Sequence, residues 1–123
     1  MSGQHILVID DEVAIRANLL RFLRLEGYQV RVAENGAAGL ASIEENKPDL
    51  ILCDVMMPDV DGFAVLATLQ ANPSTATIPF IFLTASVEQD DKRFGGELRA
   101  DAYLGKPFNL AELLALVKRK LDR

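Results

Sequence analysis

Four short stretches of the sequence hold side chains suited to polar chemistry: Asp10-Asp11-Glu12, Asp54, Thr84 and Lys106. Each comes at or just beyond the end of an apolar run. Ile6-Leu7-Val8-Ile9 precedes the first acids, Leu50-Ile51-Leu52-Cys53 precedes Asp54, Phe80-Ile81-Phe82-Leu83 precedes Thr84, and Ala102-Tyr103-Leu104 comes shortly before Lys106. If these runs are strands of one sheet, the polar groups gather beyond their carboxyl ends, where open α/β sheets bind ligands. Asp10, Asp11 and Asp54 gathered in this way repel one another unless a cation or a proton intervenes. An all-oxygen donor set at a small, partly hydrated site suits Mg²⁺, with Mn²⁺ as the alternative. Lys106 adds a movable positive charge and Thr84 a hydroxyl donor. Together these groups suit phosphoryl transfer, in which cations neutralise the equatorial oxygens while an oxygen nucleophile attacks in line. Acids after strands also favour helix N-termini. For Glu12, in the first turn of the first helix, that role is at least as good a reading.

The elements that must position these groups alternate along the chain. Ile15, Leu19, Phe22 and Leu23 recur at helical spacing, and Gly27 ends that helix. Tyr28, Val30 and Val32 alternate with Gln29 and Arg31, which predicts a second strand with one polar side, as at a sheet edge. Ala37, Leu40 and Ala41 predict a weak second helix that closes before Pro48. Pro58-Asp59-Val60-Asp61-Gly62 is turn chemistry. Phe63, Leu66 and Leu69 predict a third helix ending near Asn72-Pro73, and a polar fourth helix is expected over 87–98. Leu110, Leu113, Leu114, Val117 and Leu121 mark a final amphipathic helix with Asn109 as its N-cap. Five β-α units in succession predict a doubly wound α/β fold, a parallel sheet with helices on both faces. The first, third and fourth strands are almost wholly apolar, as buried central strands are. The second alternates and the fifth is short, so these are the edges, and the predicted order is 2-1-3-4-5.

Composition narrows the class. The 123 residues suit one domain, and half of them are hydrophobic. Eighteen acids against thirteen bases give a net charge of −5, which argues against direct electrostatic binding of nucleic acid. The single cysteine excludes an intramolecular disulfide and suits a reducing compartment. No apolar run approaches the roughly 18 residues that span a membrane. Met1-Ser2-Gly3-Gln4-His5 lacks the basic region and apolar core of a signal peptide. The expectation is a cytoplasmic domain with no membrane contact.

Four segments together carry a resemblance: residues 6–12, 50–62, Leu83-Thr84-Ala85, and Asp101-Ala102-Tyr103-Leu104-Gly105-Lys106-Pro107-Phe108. In this order and spacing the chain resembles the receiver domain of the two-component response-regulator family over essentially its whole length. The resemblance implies a single receiver domain over residues 1–123, with a flavodoxin-like fold similar to that of chemotaxis regulators. It implies that Asp54 accepts a phosphoryl group from a histidine kinase or phosphotransfer protein. Asp11 and Asp54 would ligate Mg²⁺ directly, the backbone carbonyl of Met56 would complete the protein ligands, and Asp10 would help through water. Lys106 would pair with one phosphoryl oxygen and Thr84 with another. Ala85 would leave the phosphoryl path open, and Pro107 would follow a cis peptide bond. Thr84 and Tyr103 would form a switch that alters the surface of the fourth helix, fifth strand and fifth helix. That surface would control an effector protein or an output domain, or support a homodimer. The family member is a signalling phosphoacceptor that promotes its own phosphorylation and dephosphorylation, not an enzyme with an external substrate.

Other residues weigh less. Met56 cannot orient an attacking water by a strong hydrogen bond, which predicts slow dephosphorylation. Cys53 fits core filling. His5 is expected on the surface, ahead of the first strand. A phosphatase of the haloacid dehalogenase type would need an Asp-x-Asp pattern after the first strand, which Asp10-Asp11 does not supply. A receiver-like module that binds partners without phosphorylation would need a broken pocket.

Overall fold

The computed structural model describes residues 3–85 and 102–122. Strands β1 (His5–Ile9), β2 (Gln29–Ala33), β3 (Leu50–Asp54), β4 (Phe80–Thr84) and β5 (Ala102–Gly105) pair in parallel in the order β2-β1-β3-β4-β5. Helices α1 (Val13–Leu25), α2 (Gly36–Glu45) and α3 (Gly62–Gln70) connect them, and α4 (Leu110–Leu121) follows β5. The predicted order and edges are those observed. The helix expected over 87–98 lies outside the described residues, as does Asp101.

Each face of the sheet has its own core. Leu7, Ile9, Ile51, Cys53, Phe80 and Phe82 pack on one face with residues of α2 and α3. Ile6, Val8, Leu50, Leu52, Ile81 and Leu83 pack on the other with α1 and α4. This follows from the period of two along a strand, which sends alternate side chains to opposite faces. The same parity decides where the polar residues at the strand ends begin. Asp10, Asp54 and Lys106 continue the α1/α4 face after Val8, Leu52 and Leu104. Thr84 continues the α2/α3 face after Phe82, together with Tyr103.

Helix ends agree with their local chemistry. Asn109 caps α4, its side chain accepting from the N–H groups of Ala111 and Glu112. Asp61 caps α3 by accepting from Ala64 at 2.9 Å.

Two expectations need correction. His5 is not a surface residue. It is the first residue of β1, 8% exposed, and donates its backbone N–H to Asp49 Oδ2 at 2.7 Å. A strand flanked on both sides buries its first residue along with the rest. The buried face of α2 is also not the Ala37-Leu40-Ala41 stripe. Ala37 and Ala41 are exposed, while Gly36, Gly39 and Ile43 are buried and Leu40 is partly so. A Cβ on Gly39 would stand 2.5 Å from Ile9 Cδ1, so the helix lies closer to β1 than any side chain allows. Hydrophobic periodicity cannot detect a contact made by the lack of a side chain.

Candidate functional site: an acid cluster around one lysine

The carboxyl ends of β1, β3 and β5 bring four charged groups together. Lys106 Nζ lies 3.1 Å from Asp10 Oδ2, 3.1 Å from Glu12 Oε1 and 3.3 Å from Asp54 Oδ1. Asp10 has no exposed surface, while the side chains of Asp54 and Lys106 are 8% and 15% exposed. Glu12 stands on the rim at 59%. Carboxylate oxygens of Asp10, Glu12 and Asp54 all lie within 4.8 Å of one another.

Backbone contacts hold the frame. Asp10 N–H donates to Ala33 O at 3.1 Å, and Asp10 Oδ1 accepts from Glu12 N–H at 2.9 Å. The Asp10 carbonyl accepts from Arg16 Nη1 at 2.8 Å. Lys106 N–H donates to Thr84 O at 2.7 Å, which ties the lysine to the end of β4. The Lys106–Pro107 peptide is cis, as the resemblance implied. Behind Asp54, the start of α3 presses on the strand end. A Cβ on Gly62 would collide with the Asp54 carbonyl oxygen and crowd the Phe82 ring and Val55 Cα. Gly62 N–H donates to Val55 O at 2.9 Å.

Electrostatics follow from this crowding. Burial raises the Asp54 pKa, the Asp10 carboxylate raises it further, and a hydrogen bond with the Asp11 side chain adds to the rise. Lys106 opposes these effects by charge and hydrogen bonding, and the balance is a value of about 6. Burial alone would lower Lys106, but Asp10 and Asp54 outweigh it and hold the ammonium above its ordinary range. Asp54 thus combines burial, a raised pKa and a neighbouring positive charge, a combination that marks functional-site carboxylates. Three close carboxylates of hard oxygen donors suit a hard divalent cation better than a soft one.

Asp10, Asp54 and Lys106 meet as expected, and Asp11, though exposed, reaches Asp54 through its side chain. Thr84 is buried at the end of β4, Ala85 and Met56 are exposed beside the cluster in sequence, and Tyr103 stacks on Phe82 with ring centroids 5.6 Å apart. Cys53 is fully buried, and burial pushes its thiol pKa well up, in keeping with core filling. Glu12, for which a helix-terminal role was at least as good a reading, occupies the N-cap position of α1 but makes no side-chain cap, and turns to Lys106 instead. One residue was missed. Arg16 pins the Asp10 carbonyl. Its place one turn after Glu12, on the same side of α1, was the available signal.

Comparison with known proteins supports this geometry. The sequence model of the response regulator receiver domain matches residues 6–118. The chain is 42% identical over 122 residues to the transcriptional regulatory protein GltR of Pseudomonas aeruginosa, covering 99% of this chain and 50% of that protein. It is 42% identical over 123 residues to the phosphate regulon transcriptional regulatory protein PhoB of the same organism, covering 100% of this chain and 54% of PhoB. The chain thus spans about half the length of these curated relatives. Among solved structures, a putative response regulator from Chloroflexus aurantiacus shares 38% identity with a TM-score of 0.89, covering 98% of each chain. The receiver domain of the sensor histidine kinase PA1611 from Pseudomonas aeruginosa shares 30% identity with a TM-score of 0.90, covering 99% of this chain and 100% of that one. That structure carries a magnesium ion coordinated in its active-site cleft. With the doubly wound sheet and the acid–lysine cluster at its carboxyl edge, the chain belongs to the response regulator receiver domain family of two-component signalling proteins.

Proposed function

We propose that Asp54 accepts a phosphoryl group from a phosphohistidine of a histidine kinase or phosphotransfer protein, in a Mg²⁺-dependent reaction. One observation carries this reading: a nearly buried Asp54 carboxylate stands 3.3 Å from the Lys106 ammonium among further acids. Asp11, Asp54 and the Met56 backbone carbonyl would hold the ion, with Asp10 acting through water. The clustered carboxylates of Asp10, Glu12 and Asp54 offer hard oxygen donors at this place, and the magnesium in the PA1611 receiver domain supports the choice. When bound, Mg²⁺ would supply positive charge opposite the equatorial phosphoryl oxygens.

An Asp54 oxygen attacks phosphorus in line. The phosphorus–nitrogen bond breaks, and its electron pair returns to the imidazole, which takes up a proton. Lys106 pairs with one phosphoryl oxygen, the Thr84 hydroxyl donates to another, and small Ala85 leaves the path clear. The phosphoryl group adds about −1.5 to −2 charges, which draws Thr84 and Lys106 toward Asp54. Gly105, without a side chain, pairs with Thr84 across the sheet, next to Tyr103 on the same face. Movement of Thr84 thus opens room that Tyr103 can follow into. The output is a changed surface that includes β5 and α4. It is read by an effector protein, by an output domain or by a second copy of this chain.

The phosphodonor has a seat beside the site. A cavity of about 450 Å³ between α1 and the start of α4 is lined by Ile15, Phe22, Leu25, Phe108 and Leu110, and by Lys106 itself. An apolar helical face of the donor seated there would lie against Lys106, which pairs with Asp54 at 3.3 Å. The domain, 1–123, acts in the cytoplasm as a signalling phosphoacceptor whose own pocket promotes gain and loss of the phosphoryl group.

Incubation with acetyl phosphate or beryllofluoride and Mg²⁺ tests the proposal by intact-protein mass and by NMR. The expected result is modification at Asp54 that is lost in Asp54→Ala. A protein left unmodified, with Asp54→Ala indistinguishable from it, would instead indicate a phosphorylation-independent interaction module.

A further inference from the structure

Lys106 has three acidic partners, and they are not equivalent. Asp10 is closed off from solvent and engaged on both oxygens, Oδ1 by the Glu12 N–H and Oδ2 by Lys106. Asp54 is almost as buried. Glu12 alone of the three is on the rim, and its side chain has no capping duty to α1. A divalent cation held by Asp54 directly and by Asp10 through water draws on the same carboxylates that Lys106 pairs with, and the two positive charges repel. The lysine backbone cannot retreat freely, because its N–H is tied to Thr84 O at 2.7 Å. Only the side chain can turn, and the one acid left to it among the three is Glu12.

We propose that Glu12 is a positioning residue for Lys106: when a divalent cation is held at Asp54, with Asp10 engaged through water, the ammonium stays at the mouth of the site by pairing with Glu12. The lysine is then close enough to meet an incoming phosphoryl oxygen, without holding the cation out. This inference rests on the Mg²⁺ reading above. It also gives a reason for an acid at position 12 that helix capping does not.

The test is a double-mutant cycle on the full chain, with Mg²⁺ affinity of the unphosphorylated protein measured by calorimetry. The four proteins are wild type, Glu12→Gln, Lys106→Met and the double variant. If Mg²⁺ leaves Lys106 with Glu12 as its remaining acid, Glu12→Gln weakens Mg²⁺ binding about tenfold in the wild-type background. With Lys106→Met already present, the loss shrinks to about threefold or less, the residue of through-space attraction. A loss in the Lys106→Met background as large as in wild type overturns the proposal, since Glu12 then acts on the cation directly. No loss in wild type overturns it as well. Mg²⁺ binding that Asp54→Ala leaves unchanged overturns both this inference and the reading of the site. If Lys106→Met does not fold, the ¹³Cε resonance of Lys106 in Mg²⁺-saturated wild type and Glu12→Gln decides. Different positions support the pairing with Glu12, and identical positions overturn it.

Discussion

The ammonium of Lys106 rests 3.1 Å from Oδ2 of Asp10, a carboxylate with no exposed surface, although 96 positions separate the two residues in the chain. Removing one member of a buried pair leaves the other charge uncompensated. Lys106→Met is expected to destabilise the metal-free protein by about 3 kcal/mol at neutral pH, measured by urea unfolding. Mg²⁺ should restore part of that loss, because it supplies positive charge to the same acids. An unfolding midpoint that does not respond to Mg²⁺ would contradict this account.

Asp54 gives stability an opposite pH dependence from that of an ordinary paired carboxylate. Its pKa is raised from 3.8 to about 6 on folding, so ionisation is disfavoured in the folded state. The penalty is absent below the unfolded value, grows as pH rises through the interval, and is complete above about 6. At one unit per 1.36 kcal/mol, Asp54→Asn should stabilise the metal-free protein by about 2 kcal/mol at pH 8, allowing for solvent screening. The gain should fade as pH drops toward the unfolded value. A difference between the two proteins that holds constant across this range would sink the assignment.

Met56 is exposed beside the site and offers no strong hydrogen bond to water. Met56→Asn is expected to speed loss of the phosphoryl group by roughly threefold to tenfold, the worth of one hydrogen bond in the transition state. Decay of ³²P-labelled protein after removal of the donor measures it.

Gly62 is the one residue type that lets α3 start against the Asp54 carbonyl. Gly62→Ala forces the helix start or the strand end to shift, at about 1–3 kcal/mol. The same shift displaces Asp54, so phosphorylation by acetyl phosphate should slow along with the drop in unfolding midpoint. Lost stability with an unchanged phosphorylation rate would mean that the strand end holds and the helix moves.

Leu25 is exposed at the end of α1 and lines the apolar cavity that also touches Lys106. Leu25→Asp should cut phosphoryl transfer from a phosphohistidine protein about tenfold, as loss of an interface anchor does. The small donor acetyl phosphate needs no seat there, so its rate should stay within about twofold of wild type. Equal losses with both donors would place the defect in the pocket and not in docking.

The order of strands and the gathering of polar groups at one edge of the sheet were legible because they depend on local pattern. Apolar runs such as Leu50–Cys53 become central strands, and the polar residue that ends each run falls at the same edge of the sheet. Asp10, Asp54 and Lys106 could therefore be placed together before any coordinates. The roles of Glu12 and Gly39, and the burial of His5, depend on distances between segments. Glu12 differs from a capping acid only in the direction of its side chain, which the position of Lys106 decides. Gly39 matters through the nearness of Ile9, and no property of glycine in a helix announces that. Composition and periodicity alone thus determined which residues stand at the ligand edge. The tertiary structure decided which of them share a charge, because Coulomb attraction and burial act through a few ångströms of space and not along the chain.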